Sequence, residues 1–181
     1  LVAMAEVSSE RGDLLIKNFI SHQNPFARSY VARAARITRN LEVLLDLMGD
    51  TDSNVLVHTV QGLFEIKGHD VDSILIAQLS STDPLLVLTV AQLLQGSPNS
   101  QEAIEPLVES LRIMSQEQKQ TYRDPRMALL ERLGEFGGSG QVTSLEPYLR
   151  AFCFFHFYGF PSNCHIIRTL GPSGLFNPIL L

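Results

Sequence analysis

The stretch NPFARSYVARAARI, residues 24–37, opens with an Asn-Pro pair and then spaces apolar or small side chains every three to four positions. An Asx side chain accepts a hydrogen bond from a free N–H of a helix's first turn, and proline at the first helical position sacrifices no hydrogen bond. The pair therefore predicts a helix start, and the period predicts a helix with one buried face. DPLLVLTVAQLLQG (83–96) and DPRMALLERLGEFG (124–137) open the same way, and Asp52-Ser53 holds the equivalent place before NVLVHTVQGLFEI (54–66). Each is preceded by another apolar run: GDLLIKNFISH (12–22), NLEVLLDLMG (40–49), DVDSILIAQLS (70–80) and SQEAIEPLVESLRIM (100–114). VTSLEPYLR (142–150) opens a fifth pair. The fold class is all-α.

The second helices agree at fixed offsets. Six residues beyond the proline site stand Val31, Thr59 and Val90, and ten beyond stand Ala35, Leu63 and Leu94. In the fourth unit the stripe slips to Leu129, Leu130 and Leu133. The sites at 25, 53, 84 and 125 lie 28, 31 and 41 residues apart, and the longest gap holds SQEQKQTYR (115–123), polar enough for a surface loop. Recurrence at this period is the mark of stacked helix pairs, each too small to bury both of its faces alone.

Over roughly residues 12–150 the chain resembles the HEAT repeat family, whose second helix opens D-P-x-V-R and runs on to A-x-x-A-L. Pro25, Ala27, Arg28, Val31, Ala34 and Ala35 come nearest to that pattern, with Asn24 in place of the Asp. Leu56, Val87 and Ala128 stand where the family places its Arg, so its Asp–Arg ladder between repeats is expected to be mostly missing. The resemblance implies an α-solenoid of about four antiparallel HEAT-like helix pairs over residues 1–150. It also implies a curved surface, lined by second helices, that grips a protein or peptide. An enzyme-associated subunit or the repeat domain of a larger enzyme, as in bilin-lyase-like proteins, is the alternative it leaves open.

Composition narrows the function classes. The 19 acids against 14 bases leave a net charge of −5, mild and of the wrong sign for a nucleic-acid binder. The polar residues Glu6, Ser8, Ser9, Glu10 and Arg11 read as a crude N-terminal cap of the stack. A chain that begins at Leu1 and has no polar cap at its other end reads as part of a longer one. No signal peptide is legible, and two cysteines make no disulfide framework, so a reducing, cytoplasmic setting is expected. Residues 151–181 differ in kind: they hold no acid, the single base Arg168, and AFCFFHFYGF (151–160) with five Phe and one Tyr. Only 17 uncharged residues separate Arg150 from Arg168, interrupted by Pro161 and Asn163, so no membrane span is expected. The segment reads as an irregular aromatic tail. It is either a flap over the open end of the stack or an end that does not continue the repeat, and the second reading is favoured.

Chemistry candidates are few. Cys153, His156, Cys164 and His165 offer zinc-like residue types, but adjacent Cys164 and His165 rarely turn onto one ion. His69, Asp70 and Asp72 read as helix capping, with Asp70 the N-cap and Asp72 in the first turn. His22 and His58 read as loop or packing residues. Residues 137–140, GGSG, have no preceding strand and no G-K-[ST], so they read as a turn and not a phosphate loop. No catalytic residue, metal, cofactor or small-molecule substrate is expected. Charge is the more informative feature. Between Leu14 and Leu41 lie Lys17, Arg28, Arg33, Arg36 and Arg39 with no acid, and between Glu42 and Asp83 lie eight acids and one base. Arg28, Arg36 and Arg39 fall within one sector of a helix, with Arg33 beside them. Two readings are open: belts that attract each other, or a bipolar surface that selects a partner of opposite pattern. The residues expected to contact a partner are Arg28, Arg33, Arg36, Arg39, Glu42, Asp46, Asp50 and Asp52.

Overall fold

In the computed structural model residues 1–116 and 119–137 are described. The fifth pair, the aromatic tail with both cysteines, and most of the Gly-rich turn lie outside the described residues. All regular structure within them is helical. The α-helices are α1 (Val2–Val7), α2 (Ser9–Phe19), α3 (Pro25–Thr38), α4 (Leu41–Leu47), α5 (Ser53–Lys67), α6 (Asp72–Gln78), α7 (Pro84–Leu93), α8 (Ser100–Ser115) and α9 (Arg123–Phe136). No described helix is long and apolar enough to cross a membrane.

Cap chemistry sets most of the starts. The Asn24 side chain accepts from the Phe26 amide at 2.9 Å, Asp52 from Asn54 at 3.0 Å, and Asp83 from Leu85 and Leu86 at 3.0 and 2.9 Å. Pro25 and Pro84 follow at the first helical position. Asp124 departs from this rule. Helix α9 begins two residues earlier than Pro125, at Arg123, behind a 3-10 turn at Gln120–Tyr122, and has no side-chain cap. That turn also orders part of the stretch read as a plain surface loop. Helix α8 continues through Pro106, which lacks the N–H its turn would donate.

Consecutive helices pack in pairs: α2 on α3, α4 on α5, α6 on α7 and α8 on α9. Between pairs the second helices carry the contact, α3 on α5, α5 on α7 and α7 on α9. The residues matched by offset belong to the buried core. Val31, Thr59, Val90, Ala35, Leu63 and Leu94 have no exposed surface, and Leu129, Leu130 and Leu133 are buried as well. Thr59 resolves its hydroxyl within the helix, donating to the Val55 carbonyl at 2.8 Å. Small residues let backbones approach: a Cβ on Gly62 of α5 would meet the Leu44 methyl carbons at 3.1 Å and Arg36 Cβ at 3.2 Å.

The N-terminal cap differs from its reading. Residues 2–7 form a separate short helix that packs on both α2 and α3, with Ala5 buried. Ser8 divides the two helices, its hydroxyl accepting from the Arg11 amide at 3.4 Å. Gly12 permits the crossing, since a Cβ there would lie 2.8 Å from Ala5 Cα.

Candidate interaction surface

The eight charged residues singled out in the sequence occupy three kinds of place. Arg28 and Asp50 face each other across neighbouring pairs: Arg28 Nε donates to Asp50 Oδ2 at 2.5 Å and an Nη donates to Oδ1 at 2.9 Å. The same guanidinium donates to the carbonyls of His22 and Gln23 at 2.7 and 3.1 Å. Asp50 also accepts from the Asp52 amide at 2.9 Å. The two side chains are only 16% and 6% exposed. Through this bond Asp50 holds the guanidinium more firmly protonated than usual, and Arg28 holds the Asp50 carboxyl below the ordinary carboxylate range, with burial opposing both. Asp52 serves as the α5 cap. These three residues fasten the fold, and their polar groups are engaged within it. This bidentate contact is an Arg–Asp rung joining the first two pairs.

Of the three arginines read into one sector, Arg39 departs from it. Arg36 reaches Glu65 on α5 at 3.4 Å. Arg39 has left the helix as its C-cap, in a left-handed conformation at φ 56°, so it no longer shares the α3 face with Arg28 and Arg36. Glu42 and Asp46 lie exposed on α4. Two arginines of the set, the half-exposed Arg33 and the exposed Arg39, have no carboxylate partner among the described residues. Arg33 lies beside an aromatic ring instead. Its guanidinium lies 5.3 Å from the centroid of the Tyr30 ring. The half-buried His58 on α5 feels this charge. Burial, and after it Arg33 and then Arg36, push its proton affinity down, against a hydrogen bond with Gln61.

A cluster of a different kind ties the start of α6 to the turn between α7 and α8. Asp72 stands in the first turn of α6 as read, but fully buried, and Asp70 is exposed instead of capping α6, whose N-cap is Val71. The Asp72 carboxylate accepts the hydroxyl of Ser97 and faces His69 Nδ1 at 3.1 and 3.2 Å. Ser97 Oγ in turn accepts from the Asn99 amide at 3.1 Å, and the His69 ring meets Phe64 edge-on at 5.2 Å. Aspartate sits between the serine and the histidine, so the histidine does not face the hydroxyl it would have to deprotonate, and the group acts as a latch. Nearby, Glu135 of α9 accepts from the Gly96 amide at 2.8 Å. Sequence reading missed the latch because Ser97 lies 25 residues from Asp72. Among the described residues no three His, Cys, Asp or Glu side chains gather as a metal site.

Compared with known proteins, the chain matches no family model, no curated protein and no solved structure.

Proposed function

We propose that the chain is an α-solenoid of about four HEAT-like helix pairs that acts as a non-catalytic protein-interaction scaffold. The observation that carries this reading is the serial packing of α3 on α5, α5 on α7 and α7 on α9, with each pair joined to the next by its second helix. Such a stack presents a row of second-helix faces, a form suited to gripping an extended or helical partner. Part of its polar chemistry goes to joining segments. The Arg28–Asp50 rung links the first and second pairs, and the Asp72–Ser97 latch and the Glu135–Gly96 bond tie later segments.

Of the charges expected to select a partner, Arg33, Arg36, Arg39, Glu42 and Asp46 remain at the surface, whereas Arg28, Asp50 and Asp52 are engaged internally. The test is affinity capture with the full chain and with its Arg33→Glu/Arg36→Glu variant. Both should show the same helical circular dichroism. A protein retained by the first and lost by the second supports the scaffold. Identical retention by both removes the basic face from it, and retention of no protein by either overturns it.

A further inference from the structure

Helices α1, α2 and α3 enclose an open groove of about 500 Å³, with Val2, Leu15, Phe19, Ala27 and Tyr30 among its walls. Phe26, 69% exposed, and Tyr30, 49% exposed, lie one turn apart on α3. Arg33 and Ile37 continue the same stripe at helical spacing. Tyr30, one wall of the groove, has the Arg33 guanidinium 5.3 Å from its ring centroid, which sets a cation beside that wall. Four other arginines spend their charge on carboxylates: Arg28 on Asp50, Arg36 on Glu65, Arg112 on Glu109 and Arg132 on Glu135. Arg33, like the exposed Arg39, has no such partner among the described residues, but Arg33 also lies against a wall of the groove, and its field is felt at His58.

We propose that this groove docks a short segment of a partner protein that carries an aliphatic or aromatic anchor with an Asp or Glu within one helical turn of it. The anchor seats between Phe19 and Tyr30, and the carboxylate takes Arg33. The inference rests on the scaffold reading and adds the partner's chemistry to it. Charge complementarity selects this occupant. The apolar walls reward an anchor that leaves water, and the Arg33 cation rewards a carboxylate beside it. A nucleic-acid backbone would need a row of such cations and has no use for the apolar walls. Arginine is suited to the role because its planar fork binds a carboxylate in two places while still stacking on a ring.

The test uses the full chain as bait for a random-peptide display library, followed by fluorescein-labelled copies of the enriched peptides. Enriched peptides should pair an aliphatic or aromatic residue with an acid within one turn. Their affinity should fall about tenfold or more in Arg33→Glu and stay within about threefold in Arg33→Lys. Tyr30→Ala should also weaken binding, with circular dichroism confirming that each variant is folded. Peptides without an acidic bias, affinity indifferent to Arg33→Glu, or no enrichment would each overturn the proposal. Sedimentation of the chain alone covers the other occupant: a dimer that dissociates in Arg33→Glu assigns the groove to a second copy and overturns the partner segment. A captured protein that saturating groove peptide does not displace leaves the scaffold standing while the groove assignment falls.

Discussion

Asp50 and His58 both make the molecule sensitive to acid, in separate pH windows and for opposite reasons. Asp50 is held below its ordinary range by the Arg28 bond, so the unfolded chain takes up its proton first. The stability it contributes is present at neutral pH and is lost as pH falls below about 4. Asp50→Asn should lower the melting temperature at pH 7 and flatten the acid limb of a stability-versus-pH curve. An unaltered limb would mean that the rung does not couple to protonation. His58 is pushed down by burial and by Arg33 and Arg36, so here too the unfolded chain binds the proton more readily. Its contribution is lost earlier, as pH falls through about 6.5. Thermal melts between pH 7.5 and 5.5 should show this decline in the native chain and a smaller one in His58→Gln. The rung itself was only half legible in the sequence. Arg28 stands where the HEAT pattern puts its Arg, but its partner lies 22 residues on, in the turn after α4. Which acid meets it depends on how two pairs stack, and spacing along one helix does not carry that information.

Helix starts were legible wherever the cap is local. Asn24, Asp52 and Asp83 each bond an amide two or three residues away, and that chemistry is written in adjacent letters. Asp124 broke the rule because a 3-10 turn ahead of it lets α9 begin at Arg123. Helix α1 was missed because six residues are too few to display a period, and its stability comes from packing on α2 and α3. That dependence is testable at Gly12. Gly12→Ala drives a Cβ into the Ala5 backbone and should destabilise the fold by about 1–3 kcal/mol, read by chemical denaturation. An unchanged midpoint would show that α1 detaches at little cost. The opposite sign is expected at the end of α3. Arg39 holds a left-handed φ of 56° that glycine adopts without a Cβ penalty, so Arg39→Gly should stabilise by about 0.5–1 kcal/mol.

Across the whole molecule, the arrangement of contacts makes cooperativity a matter of neighbours. Helix α5 is covered on one side by α3 and on the other by α7, while α2 contributes its packing to α1 and α3. A lesion in α5 should therefore spread both ways along the chain of second helices, and a lesion in α2 only one way. Leu63 of α5 and Ile16 of α2 are both fully buried aliphatic side chains, so truncating either removes a comparable apolar volume. Each change to alanine should cost about 2–5 kcal/mol, a large share of an ordinary domain's stability. The difference should lie in where the loosening shows. In amide hydrogen exchange, Leu63→Ala should speed exchange in α3, α5 and α7 alike. Ile16→Ala should speed it in α1, α2 and α3 and leave α7 and α9 close to native rates, because stability in such a stack is a sum over adjacent units. If Ile16→Ala raised exchange equally as far as α9, the described helices would open as a single unit, and the serial packing that carries the scaffold reading would lose its energetic meaning.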